Sequence, residues 1–158
     1  MGDITLDRTD RQILQALQED GRMPNNELAA RVNLSPSPCL RRVRALEEGG
    51  VIRRYAAQLD PLKLGLGLLA YVSVKLEHKG RSPASRFAAA VQSWPEVIEC
   101  HSMTGDLDYL LRVQVADLAH YSRFMMTRLL EHPGVVDVKS SFALETIKPH
   151  AALPVQPL

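Results

Sequence analysis

The chain has 158 residues, 46% of them apolar and 23% charged, with a formal net charge of +1, an ordinary balance for one generous or two small folded domains. No apolar run approaches the roughly 18–20 residues of a membrane span, and the start, MGDITLDRTD, is acidic rather than basic and apolar, so a cytoplasmic protein with no membrane partner is expected. Cys39 and Cys100 lie far apart with no metal-ligand spacing, so two free thiols and neither metal nor bound cofactor are expected.

The near-neutral total hides an uneven distribution. Residues 1–30 hold three arginines against six acids, whereas residues 31–54 hold six arginines against Glu47 and Glu48. One concentrated basic strip suits a protein that meets phosphates through a single face.

In chain order, Asp7 can cap a first helix, with Asp10 three residues on in capping-box position. Ile13, Leu14 and Leu17 form its apolar stripe, and Gly21 fits a left-handed helix end. Asn25 or Asn26 can cap a short second helix that buries Leu28, Ala29 and Val32. Asn33 tolerates the left-handed conformation of a tight turn, and Leu34 is an apolar plug within it.

The segment from Ser35 to Leu46 is the most informative. With Ser35 as N-cap, Pro36 and Pro38 fall at the first and third helical positions, where no intrahelical N–H is lost. At 100° per residue Cys39, Leu40, Val43 and Leu46 share the core face. Ser37, Arg41, Arg42, Arg44 and Ala45 fan across the other, where a small-residue start and three arginines can enter a major groove. A lone basic helix face is first of all solvated surface. A short helix, an asparagine turn and a second helix at this spacing turn the reading to a helix-turn-helix that binds double-stranded DNA. Ser35, Ser37, Pro38, Arg41, Arg42 and Arg44 are the candidate contacts. Val51 to Leu59 reads as a strand, with Arg53 and Arg54 placed where a wing meets backbone phosphates.

Asp60-Pro61 ends that strand, and residues 61–67 read as an apolar, glycine-containing linker. Leu68 to Leu76 alternates as a strand, and Pro83 opens a helix burying Phe87, Ala90, Val91 and Trp94. Val97 to Met103 and Asp108 to Val115 are hairpin partners around the turn Thr104-Gly105-Asp106-Leu107. Asp117 caps a helix to Glu131 whose apolar side is Leu118, Tyr121, Met125, Leu129 and Leu130. His132-Pro133-Gly134 stops it, and Val135 to Lys148 is the last strand. The expected fold is α+β: a winged helix-turn-helix (1–60), then a ferredoxin-like βαββαβ domain (68–148) and an extended tail (149–158). Both helices would cover one sheet face. Leu110, Phe142 and Leu144 suggest that the other packs against a second copy.

The sequence resembles the Lrp/AsnC family of leucine- and asparagine-responsive regulators over about residues 6–148. The resemblance is carried by Leu6-Asp7-Arg8-Thr9-Asp10, by Leu34-Ser35-Pro36-Ser37-Pro38-Cys39-Leu40-Arg41-Arg42-Val43, by Leu46-Glu47-Glu48-Gly49-Gly50-Val51-Ile52 and by Thr104-Gly105-Asp106-Leu107-Asp108-Tyr109. It implies a sequence-specific transcription regulator, a homodimer assembling further into a tetramer or octamer, and an amino-acid effector bound in the second domain. The matching positions are Met103, Thr104, Gly105, Asp106, Leu107, Asp108 and Tyr109, with Ser140 and Ser141 from the end strand. A glycine turn offers backbone N–H groups to a carboxylate, and Asp106 or Asp108 offers an ammonium acceptor. No second charge is available for a ligand side chain, which favours a neutral amino acid such as leucine or methionine. Family members often carry Thr-Tyr where this chain has Ser141-Phe142.

Two rivals are an architectural DNA-binding protein without ligand and an enzyme similar to siroheme decarboxylases. The histidines His78, His101, His120, His132 and His150 show no repeated spacing, and no nucleophile–base grouping is evident, so no catalytic residue is expected.

Overall fold

A computed structural model describes residues 5–77, 83–149 and 152–155. The chain forms two compact units, Met1–Gln58 with Lys148–Leu158, and Leu59–Ile147.

The first unit is three helices around a small core. α1 (Arg8–Glu19) begins with a full capping box, the Asp7 carboxylate accepting the Asp10 N–H and the Asp10 carboxylate accepting that of Asp7, which satisfies two donors left over at the helix start. Gly21 is not left-handed, contrary to expectation. Asp20 ends α1 in an extended conformation, and its carboxylate accepts the Arg22 N–H at 2.8 Å. A Cβ at Gly21 would only touch the Tyr55 ring, at 3.4 Å, so neither conformation nor room requires glycine at this position. α2 (Asn25–Arg31) is capped by neither asparagine: Pro24 is the N-cap, and Asn25 spends its amide on the Pro36 carbonyl at 2.9 Å. Asn33 is left-handed at φ 56°, a conformation its short polar side chain tolerates. It reverses the chain into α3 (Pro36–Glu48), with Ser35 as N-cap and Pro36 at N1.

Ile13, Ala16, Leu28, Ala29, Cys39 and Leu46 close the core, and burial pushes the Cys39 thiol pKa up. Leu40, assigned to that core from the periodicity, is exposed. The strand expected over 51–59 does not form: after a bend at Val51–Ile52, residues 53–60 belong to no strand and are exposed. A strand requires a ladder partner, and none of the four described strands pairs with this segment.

The second unit is a four-stranded antiparallel sheet. β1 (Leu68–Leu76), α4 (Pro83–Val91), β2 (Val97–Ser102), β3 (Tyr109–Val115), α5 (Leu118–Phe124) and β4 (Val135–Phe142) give the βαββαβ order, with the strands arranged β2-β3-β1-β4. Ala70, Val72 and Val74 from β1, with Leu111, Val113 and Val115 from β3, are fully buried beneath Phe87, Tyr121, Phe124 and Leu129. α5 is capped by Asp117, whose carboxylate accepts the His120 N–H at 2.7 Å. It then widens into a π turn over Met125–Leu129. The extra residue carries the buried stripe of Tyr121 and Phe124 on to Leu129 and leaves Leu130, expected inward, exposed; Leu118, also expected inward, is exposed in the first turn.

β4 ends at Phe142, six residues short of the expected Lys148. Its register with β1 pairs Ala70 with Phe142 and Val72 with Ser140, and cross-strand pairs share a face. Phe142 therefore faces the helices, its ring edge-on to Tyr121 at 5.1 Å, not the open side. Leu144 lies beyond the strand, fully exposed. The open face is mixed in character. Leu69, Tyr71 and Leu110 lie on it among Arg112, Glu99, Lys139 and Asp137, with Arg112 paired to Glu99 at 2.8 Å.

Candidate nucleic-acid interface and ligand turn

α3 is placed by contacts at both ends. Its N-terminus is fixed by the Asn33 turn and by the Asn25 bond to the Pro36 carbonyl. Its C-terminus is closed by Gly50 at φ 71°, with the Val51 and Ile52 N–H groups donating to the Leu46 carbonyl. Ser37, Arg41, Arg44 and Glu48 follow at helical spacing, and with Leu40 and Ala45 they line one open depression of about 450 Å³. Ser35 caps the helix through its backbone only, without a side-chain cap bond. Pro38 is half-buried. Guanidinium, hydroxyl, methyl and carboxylate groups on one ridge are the chemical types that read base edges in a major groove.

Arg42 does not join that face. Its guanidinium reaches back to Asp7 at 2.7 Å and Asp10 at 2.8 Å, tying α3 to the capping box of α1. The Asp7 pKa is lowered by the Asp10 N–H first and the Arg42 guanidinium second. Arg42 thus ties α3 to α1, whereas the sequence placed it among the candidate DNA contacts. One hundred degrees of rotation from Arg41 turns it toward α1. Leu40 and Glu48 also line the depression on α3 but were not among the candidates; the apolar period had assigned Leu40 to the core. Arg53 and Arg54 are exposed in the segment after α3. Tyr55 anchors that segment by donating to Glu47 Oε1 at 2.9 Å; burial, then the Glu47 carboxylate, push its pKa up to about 12, so it stays a donor.

In the second unit the turn 103–108 joins β2 to β3. Gly105 has φ 103°, with nothing within 4 Å of a built Cβ, so glycine is needed there for conformation and not for room. Thr104 and Asp106 are exposed, and Leu107 is half-buried. The Met103 N–H donates to the Asp108 carbonyl at 2.9 Å and the Asp108 N–H to that of Val74 at 3.0 Å. Asp108 Oδ2 accepts the Leu76 N–H at 2.7 Å. Asp108 therefore clamps the turn onto β1, while Asp106 is exposed. Tyr109 stacks on Phe87 at 4.8 Å and donates to the Ala84 carbonyl at 3.3 Å; it belongs to the core wall. Ser140 and Ser141 do not converge. Ser140 accepts the Tyr121 hydroxyl on the helix side, whereas Ser141 pairs with Tyr71 on the open side.

Of the histidines, His101 stands 3.6 Å from Glu99, His120 stands 3.7 Å from Glu96, and His132 lies against Phe87 and Trp94. His78 and His150 lie outside the described residues, as do positions 1–4 and parts of the tail. No described helix is long and apolar enough to cross a membrane.

Residues 69–153 match the Lrp/AsnC ligand binding domain, and residues 6–53 match a winged helix-turn-helix DNA-binding family. The leucine-responsive regulatory protein of Salmonella typhimurium is 46% identical over 143 residues, covering 90% of this chain and 87% of that protein. The Escherichia coli K12 protein of the same name is 45% identical over the same shares. A transcriptional regulator from Neisseria meningitidis, solved with L-methionine, superimposes with a TM-score of 0.92 at 48% identity, over 96% of this chain and 97% of that one. An AsnC-family regulator from Agrobacterium tumefaciens gives 0.89 at 43% identity, over 95% and 97%.

Proposed function

Since this chain belongs to the Lrp/AsnC family of transcription regulators, with a DNA-binding helix-turn-helix and an amino-acid-binding domain, we propose that the Ser37–Arg41–Arg44 face of α3 reads DNA and that a neutral amino acid is the effector. The observation carrying the DNA reading is that this face is exposed and shared by two arginines while the third, Arg42, is held by carboxylates. Arg53 and Arg54 contact phosphates, and Ser35 and Pro38 shape the helix entry into the groove.

The effector seat is the turn from Met103 to Leu107. Backbone N–H groups around Gly105 take the carboxylate, and Asp106 takes the ammonium. A relative was solved with L-methionine, so leucine or methionine fits best. Ser141 contributes its hydroxyl from a neighbouring subunit. Tyr71, Leu69 and Leu110 on the open sheet face are the apolar centre of a homodimer, which assembles further into a tetramer or octamer. We read residues 1–60 and 68–148 as the reading and sensing domains of a cytoplasmic protein that binds and does not catalyse.

The test is operator binding by variants. Arg41→Ala/Arg44→Ala is expected to lose about 1–3 kcal/mol per contact on specific sites. Arg53→Ala is expected to weaken all sequences alike and flatten the salt slope by about one unit. Unchanged operator affinity in the double variant would remove the assignment of this face.

A further inference from the structure

We propose that the groove between α1 and the 50–55 segment is a docking site for the chain's own tail, Leu153-Pro154-Val155. After the sheet, the chain returns to the first unit at Lys148. There the tail lines a cavity of about 730 Å³ with Leu14 and Leu17 of α1 and Ile52 beyond α3. Val155 packs against the core of the first unit.

The polar contacts have the form of a peptide-recognition site. Gln18 brackets one residue: its Nε2 donates to the Leu153 carbonyl at 3.1 Å, and its Oε1 accepts the Leu153 N–H at 2.6 Å. A side-chain amide satisfying both backbone groups of one extended residue reproduces what a neighbouring strand would offer. The Arg11 guanidinium donates to the Val155 carbonyl at 2.6 Å, a charge-assisted bond. Between these residues stands Pro154, which has no N–H to satisfy and whose fixed φ lowers the entropy lost on seating. Every polar contact reads tail backbone, and the apolar side chains set the register.

The occupant is the same chain because the tail reaches the groove already tethered. A covalent tether supplies an effective concentration on the order of millimolar, ample for a short contact. The two units are therefore joined twice, at residues 58–59 and 147–148. Arg53 and Arg54 line the same cavity, so the seated tail props the arginine-bearing segment that no strand supports. None of this depends on which effector binds.

Hydrogen exchange on the full chain, read by NMR at the Leu153 amide, tests the seat. We expect exchange at least about tenfold slower than a free-peptide rate in the wild type. Gln18→Ala, at an exposed position, should return it to the free rate with the α1 core amides unchanged. Free-rate exchange in the wild type, or protection that survives Gln18→Ala, would overturn the proposal. Mixing labelled wild type with excess unlabelled Gln18→Ala chains settles whose groove is used. Retained protection supports a seat within one chain, and lost protection shows a tail exchanged between copies and contradicts it.

Discussion

Arg42 shows how a single residue type can carry two meanings. In sequence it is one of three arginines on the candidate DNA-reading helix; in the fold it closes a network with Asp7 and Asp10. Removing it leaves two neighbouring carboxylates facing each other, so Arg42→Ala should lower the melting temperature by a few degrees and weaken all DNA sequences in proportion to lost folding. A selective loss of operator binding with unchanged melting would contradict this. The pH dependence follows from Asp7. Its folded pKa lies below the ordinary 3.8, so its stabilising contribution is complete above that value and is lost as pH falls through the lowered pKa. Thermal melts from pH 6 to 2.5 should show that acid-side loss in wild type and a smaller one in Asp7→Asn. Ser140 and Ser141 teach the same lesson: adjacent strand residues face opposite ways, and only the pairing register assigned each to its side.

Among the elements, those set by local chemistry were legible. The Asp7 capping box, the Asn33 turn, the Ser35-Pro36 start of α3 and the alternation of β1 each depend on a few neighbouring residues, and all appear where expected. The misreadings share a non-local cause. Residues 51–59 have strand-like composition without a strand to pair with, and β4 stops at Phe142, opposite Ala70 near the start of its partner β1. The π turn in the second helix of the sheet domain is invisible to a 3.6-residue period. It supplies a sharp test, because Leu129 is fully buried while its neighbour Leu130 is about half exposed. Leu129→Ala should cost about 2–5 kcal/mol in chemical denaturation, and Leu130→Ala less than about 0.5 kcal/mol. Equal costs would mean the helix runs on without the extra residue.

For the whole molecule, the resemblance in sequence and the similarity in structure agree on a regulator with separate reading and sensing domains. On the proposed DNA face, Arg42 is held by Asp7 and Asp10, and Leu40 and Glu48 line the same depression as Arg41 and Arg44. In the turn 103–108, Asp106 is exposed while Asp108 accepts the Leu76 N–H. These refinements depend on contacts between residues 30 or more positions apart, which no local pattern encodes. Coupling between the two domains then appears as a change in DNA affinity when the effector binds, typically 1–3 kcal/mol. Operator affinity should be measured by fluorescence anisotropy on the full chain, with and without saturating leucine or methionine, for wild type and Gly105→Val. The prediction is a shift of about fivefold or more in wild type with one of the two, and none in Gly105→Val, whose strained turn no longer seats the ligand although it still binds DNA. An operator affinity that none of the twenty amino acids moves in wild type would contradict the sensing role and leave a DNA-binding protein without an amino-acid effector.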